Sequence, residues 1–400
     1  MTLRYCLIAL TLISVVCDTL LLPFYPQFFA QEFQQNSAQH VGWFVAACCA
    51  TVMFSFPLWA KLARHLSELH IWVVTQVIAA VFGILCFWAQ TLWQFWLFAQ
   101  LMLAFKASYL LIYPYVLRLE ARHTHLGLVG LFSVLMHFGA IGGALIGGVL
   151  FTQFSPRYAF LISAAGDVVQ VVLCLWLIRH TQASYRQTSA PSATPRARIP
   201  AFIWRFALVS MVVYFSAFLA RPFFATHWLR IDPAASELGA GVIYAIPAGM
   251  ALLMLVFNHY RRCIPLATWE RQRTFAVSLG GAAAGLWLQG FSSPELVIAG
   301  RLLLGIAMFQ VTVLLEVMLF ARSEPAFYAS DFAKVHLFQN IGIIGASFAA
   351  GSLVSYASTT ATFQAAALGF LIIFILFTGW LLLARQQNTT GRSANALKAQ

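Results

Sequence analysis

Long apolar runs separated by short polar ones recur along the whole chain, and their spacing predicts helices that each cross a bilayer. A crossing takes about 20 mostly apolar residues. Windows of that kind fall at 4–29, 40–62, 70–89, 93–118, 126–151 and 157–179, and again at 201–227, 238–258, 273–291, 294–321, 333–356 and 359–384. The pattern therefore predicts twelve spans, six on each side of one polar interval. That interval, Arg179 to Pro200, is rich in Ser, Thr, Ala and Pro, carries arginines and no acid, and reads as a flexible linker. The expected organisation is an N-terminal six-helix bundle over 1–179, a cytoplasmic linker over 180–200, a C-terminal six-helix bundle over 201–385 and an irregular polar tail over 386–400. The first run is too long for a signal-peptide core and lacks a small-residue cleavage site, so it is expected to be a span.

Composition agrees with this pattern. Hydrophobic residues make up 61% of the 400 positions and charged ones 9%, where a soluble domain has about 25% charged. The class is all-α integral membrane, with the lipid bilayer as a partner. The net charge of +12 does not indicate nucleic acid, because the basic residues are spread along the chain. Of the 24 Lys and Arg, only Arg157 and Arg230 fall in loops on the far side from the N-terminus. By the positive-inside rule both termini are cytoplasmic, as expected for a multi-pass protein of a bacterial inner membrane. The seven cysteines lie in spans or an inner loop and form neither a disulfide framework nor a CxxC metal pattern.

One stretch breaks the rules of soluble helices. FGAIGGALIGGVLF, from Phe138 to Phe151, holds five glycines, each costing roughly 1 kcal/mol against Ala in water. In lipid, small residues let backbones approach and supply helix contacts, and Gly139, Gly143 and Gly147 share one face. The plain alternative for such a run is a close helix crossing with no further role. The halves also resemble one another. A shift of 203 places His137 on Asn340, Gly139 on Gly342, Gly142 on Gly345, Gly148 on Gly351 and Phe160 on Phe363. A shift of 201 pairs Gln100–Ala104 with Arg301–Gly305, and YPQFFA near the end of the first span resembles RPFFA in the seventh. These matches predict an internal duplication with parallel halves.

Asp18, Lys106, Asp167, Arg221, Arg301 and Glu316 fall inside predicted spans. Each costs about 2.5–3.5 kcal/mol at a helix centre, ~15–20 kcal/mol together, against a net stability of about 5–15 kcal/mol for most proteins. They must face a wet cavity or one another. Arg301, Gly305, Phe309, Thr312 and Glu316 lie within an arc of about 80°, Met102, Lys106, Tyr109 and Tyr113 share a stripe, and Tyr25 and Tyr214 stand seven residues from Asp18 and Arg221.

With these residues in view the chain resembles the major facilitator superfamily over nearly its whole length. The resemblance implies twelve helices in two pseudo-symmetric six-helix bundles around a central cavity lined by the first, fourth, seventh and tenth. Gly139, Gly143, Ala144, Gly147 and Gly148 stand in the fifth-span antiporter motif, with Ala144 where that motif has proline; this implies a proton-exchanging exporter. WAKLARHLSE (Trp59 to Glu68) stands in the place of the loop signature after the second span and departs from it at several positions. Its Arg64 and Glu68 offer a gating ion pair in reversed order. Gln100 replaces the fourth-span arginine, and Arg301 keeps it in the tenth.

On this footing Asp18 is the expected proton carrier, Glu316 the second, and Arg301 a candidate relay; a half-dry carboxylate is suited to proton exchange. The alternative for Asp18 is a static ion pair with Lys106. Asp167, on a supporting helix, is expected to be structural, and the lone His137 a packing residue. Lys106, Tyr109, Tyr113, Tyr25, Arg221, Phe309 and Thr312 are the expected substrate contacts, with helix packing the alternative for each aromatic. Three cavity cations against two carboxylates favour an anionic or zwitterionic metabolite, such as an organic acid or siderophore. No Gly-Lys dipeptide, GxSxG, HExxH or CxxC occurs, so no ATP-driven step, enzyme site or metal site is expected. The expected driving force is a proton gradient without a cofactor, in a monomer. The competing reading is an uptake carrier, symporter or facilitator, for an organic anion; multidrug efflux of neutral compounds comes third.

Overall fold

The computed structural model describes residues 2–63, 65–112, 115, 125–181, 199–260, 268–324 and 328–398. Among them ten helices are long and apolar enough to cross a membrane. Two more complete the predicted twelve. α5 (Leu92–Lys106) has 15 residues and continues as a 3-10 helix over Ala107–Leu111; at ~1.5 and ~2.0 Å per residue the pair reaches ~32 Å, enough for a core of about 30 Å. α11 (Thr268–Gln289) is long enough, but Glu270, Arg271 and Arg273 make its first turns polar. The remaining helices of the first half are α1 (Thr2–Thr19), α2 (Tyr25–Phe33), α3 (Ala38–Leu62), α4 (Glu68–Trp88), α6 (His125–Gln153) and α7 (Tyr158–Thr181). Those of the second are α8 (Ala201–Leu219), α9 (Phe224–Ile231), α10 (Glu237–Tyr260), α12 (Pro294–Phe320), α13 (Tyr328–Tyr356) and α14 (Thr359–Lys398). α14 continues past the predicted end at 384, so the tail expected to be irregular is helical through Lys398.

The first and seventh spans are each broken. Proline lacks an N–H and its ring clashes with the carbonyl four residues back. Pro23 acts in this way on Thr19, the last residue of α1, and Pro222 on Phe218 at the end of α8. A single 3-10 turn follows in both cases, Leu22–Phe24 and Arg221–Phe223, and a short helix finishes each crossing. The two turns touch at the centre of the molecule. α6 runs unbroken through Ala144, where the motif would carry proline.

Packing repeats between the halves. α1 lies on α6 and α7, and α8 lies on α13 and α14; α4 packs between α5 and α7, and α11 between α12 and α14. The paired glycines have matching duties. A Cβ on Gly139 would lie 2.4 Å from Val15 of α1, and one on Gly342 would lie 2.3 Å from the Met211 carbonyl of α8. A Cβ on Gly143 would also collide with Thr19 of α1, and one on Gly147 with Leu20 just past its end. Gly148 and Gly351 face the opposite half: a Cβ on Gly148 would fall 2.7 Å from Leu238 of α10, and one on Gly351 would fall 2.8 Å from the Ala38 carbonyl of α3. The halves therefore join along α6–α10 and α3–α13, with these glycine contacts at the end of the bundle remote from the N-terminus.

That remote end is firmly tied within each half. Arg157 pairs with Glu32 and donates to the carbonyls of Phe87 (3.1 Å) and Ala89 (2.6 Å), joining α2, α4 and α7. In the second half His227 holds the corresponding place, its Nδ1 3.0 Å from Thr359 Oγ1 and its Nε2 2.8 Å from the Gln289 carbonyl. Beneath Arg157, Phe28, Phe29, Phe44, Phe95 and Phe160 form a buried aromatic core with ring centroids 4.9–5.7 Å apart, for instance Phe29–Phe44 at 4.9 Å and Phe28–Phe160 at 5.7 Å.

Candidate functional site

The N-terminal half brings three charges together halfway along its helices. Lys106, at the end of α5, extends its ammonium to Asp167 of α7 (3.2 Å) and Asp18 of α1 (3.8 Å), and donates to Ser163 Oγ at 2.5 Å. Lys106 and Asp167 are buried; the Asp18 side chain keeps 26% of its surface exposed, and the Tyr109 hydroxyl stands beside its carboxylate. The surrounding polar groups interlock: Ser14 Oγ donates to Gln170 Oε1 (2.9 Å), and Gln170 Nε2 to Asp167 Oδ1 (3.5 Å). Burying ions costs several kcal/mol each unless they are paired and hydrogen-bonded. Here one cation serves two anions, so the cluster carries a net charge of −1 when both acids are ionised. The Asp18–Lys106 pairing allowed by the sequence is present, with Asp167 as the nearer partner.

The second half handles its charges differently. Arg301 on α12 is buried against α10, with Nε donating to the Ile243 carbonyl at 3.2 Å and Nη2 to the Tyr244 carbonyl. Its guanidinium stacks on Phe224 (4.0 Å) and Tyr244 (5.2 Å). The cause lies one turn on. Pro247 has no N–H, so Ile243 loses its helical partner, and Arg301 supplies the missing donor. Gly305, one turn along α12, lets the same kink approach: its Cβ would fall 2.7 Å from Pro247 Cα. Arg221, in the central 3-10 turn, is exposed, with its guanidinium 5.6 Å from the Phe218 ring. Tyr214 lies within electrostatic range of both Arg221 and Glu316, and Glu316 is half-buried on α12.

Other expected site residues are placed as follows. Tyr25 is half-buried on α2, edge-on to Phe44 at 5.1 Å and within range of Asp18. Phe309 is buried, and the Thr312 hydroxyl is taken up by its own helix at Met308 (2.9 Å) and Phe309 (3.1 Å). Glu68 is buried at the start of α4; Arg64, its expected gating partner, and Tyr113 lie outside the described residues. Gln100, in the place matching Arg301, accepts from Thr51 Oγ1 at 2.6 Å and so ties α5 to α3. Asp167, expected to be structural, is the nearer partner of Lys106; sequence reasoning missed Ser14, Ser163 and Gln170. Ser163, Asp167 and Gln170 form a polar stripe at i, i+4 and i+7 on an apolar helix, a readable signal of an inward-facing side.

Two halves of like architecture, broken helices that touch where the halves meet and charged groups buried within each half are the features of a polytopic transporter. The chain belongs to the Major Facilitator Superfamily, whose family model matches residues 7–262, and it is a transporter rather than an enzyme. Among solved structures it is similar to the nucleoside transporter NupG (TM-score 0.72, 15% identity, covering 95% of this chain and 99% of that one). It is similar also to the human organic anion transporter MFSD10 (TM-score 0.67, 15% identity, 94% and 99%). A third likeness is to a bacterial homologue of the human lysosomal transporter Spinster in an inward-facing and occupied conformation (TM-score 0.70, 14% identity, 96% and 97%). Likeness at these identities shows the fold. No curated protein sequence matches the chain.

Proposed function

We propose that this protein is a proton-coupled exporter of a small anionic or zwitterionic metabolite, organic-acid- or siderophore-like, working by alternating access as a monomer in a bacterial inner membrane with both termini in the cytoplasm. The observation that carries the cargo class is the contrast between Arg221 and Lys106. The cation surplus suggested by the sequence is offset once Asp167 joins Lys106, because Lys106 then faces two carboxylates. Arg301 is engaged by carbonyls and aromatic rings. Arg221 is the exposed cation, in the turn where the halves meet. A zwitterion fits this polarity, its carboxylate on Arg221 and its donor or cationic end toward Asp18. Export is favoured by the fifth-span glycines, and proton exchange by Asp18, whose side chain stays 26% exposed in the middle of a span. A proton on Asp18 removes the charge that holds the cargo's cationic end, and that competition is the essence of antiport.

The test uses everted vesicles with an acidic lumen and a panel of small carboxylates and carboxylate-bearing zwitterions. An exporter loads one of them while discharging the pH gradient, read with a pH-sensitive dye. Uptake of cargo from the lumen side only, or cargo movement with no effect on the gradient, overturns the proposal.

A further inference from the structure

We propose that Asp167 is a second proton-binding residue of the transport cycle, and that Asp18 and Asp167 alternate as the ionised partner of Lys106. This rests on the proton-coupled reading above. Three features of the cluster carry it. Asp167 is wholly buried on α7, and its two oxygens are treated unequally: Oδ1 receives Lys106 (3.2 Å) and Gln170 (3.5 Å), while Oδ2 has no hydrogen-bond partner among the described residues. A buried anionic oxygen without a donor is a costly arrangement that calls for a reason. A proton at Oδ2 supplies one, because the new O–H neutralises the group while Oδ1 goes on accepting from Gln170.

The second feature is the shared cation. Lys106 reaches both acids from one position, so a small swing of its ammonium exchanges Asp167 for Asp18, with Ser163 as a fixed third contact. The third is unequal access: the Asp18 side chain is 26% exposed and that of Asp167 0%. A proton from outside the cluster therefore arrives at the more exposed Asp18, and breaking one hydronium O–H bond forms one carboxyl O–H. It passes on to Asp167 by way of Lys106, whose ammonium gives one proton to Asp167 (3.2 Å) and takes the one on Asp18 (3.8 Å), leaving Asp18 ionised. Lys106 stays charged, and the cluster moves from −1 to 0. The titratable groups facing Asp167 are Lys106 from α5 and Asp18 and Cys17 from α1; among the described residues α4, whose Gly83 packs on Ala164 of α7, brings no charged group to it.

The experiment is infrared difference spectroscopy of the full chain in liposomes, titrated with pH and needing no cargo. The expected result is a protonated-carboxyl carbonyl band that moves on labelling with carboxyl-13C aspartate, exchanges slowly with deuterium, survives in Asp18→Asn and is lost in Asp167→Asn. Asp167→Glu should return a band that no longer responds to the aspartate label. Because Asp167→Asn leaves Lys106 paired only with Asp18, the labelled Asp18→Asn protein gives an independent reading should that variant fold poorly. A spectrum with no slowly exchanging aspartate band in either protein at any pH overturns the inference, even where vesicles show proton-driven export. A band that disappears in Asp167→Asn upholds it, even where export fails.

Discussion

Gly42 of α3 and Gly351 of α13 press backbone against backbone across the two halves: a Cβ on Gly42 would lie 2.9 Å from Gly351 Cα and 2.6 Å from the Ser347 carbonyl. No side chain fits there while the halves are closed at this end. Gly42→Val is therefore expected to favour the state in which this end is open. Spin labels at Gln39 and Ser355 should report a longer distance in the variant than in the parent; an unchanged distribution would show that the seam yields without parting.

Arg301 and Pro247 make a second dependent pair. Removing the guanidinium leaves the Ile243 carbonyl without its donor, a loss of about 1–3 kcal/mol for a buried polar group. Arg301→Lys should cost nearly as much as Arg301→Ala, since an ammonium lacks the planar fork that serves two carbonyls and two rings at once. In a Pro247→Ala background the helix provides its own N–H, and the cost of Arg301→Ala should fall. A thermal-unfolding double-mutant cycle checks this; strict additivity would detach Arg301 from the kink.

Lys106 and Arg221 are expected to respond in opposite ways. Lys106→Gln strands a fully buried carboxylate and should destabilise the protein by about 3–5 kcal/mol, with partial recovery in Lys106→Gln/Asp167→Asn. Arg221→Gln, at an exposed position, should stay within about 0.5 kcal/mol of the parent in stability yet weaken anionic cargo at least tenfold. Equal stability losses at the two positions, or unaltered affinity in Arg221→Gln, would contradict this division.

Arg157 should prove structural. Its guanidinium holds Glu32 and two carbonyls at the ends of three helices. Arg157→Ala is expected to lower the unfolding midpoint, and Arg157→Lys to recover only part of it, with little change in how flux varies with pH. A shifted pH profile at unchanged stability would instead draw the remote end into proton handling.

Much of the fold was legible because bilayer thickness imposes span length on the sequence, and because the duplicated glycines keep one duty in both halves: Gly139 with Gly342, Gly148 with Gly351. The breaks at Pro23 and Pro222 have a local cause, yet the hydropathy pattern ran both spans straight through them. What sequence could not reveal depended on distant partners. Arg301 reads as a free intramembrane charge until the Ile243 carbonyl, left without a helical donor by Pro247, is found beside it. Asp167 reads as support until Lys106 turns toward it, although the polar stripe of Ser163, Asp167 and Gln170 already marked that face.

The twin turns at the centre, Leu-Pro-Phe and Arg-Pro-Phe, differ in one side chain. Where they touch, the first half brings hydrocarbon and the second a guanidinium. Two halves alike in backbone thereby present unlike surfaces to one another.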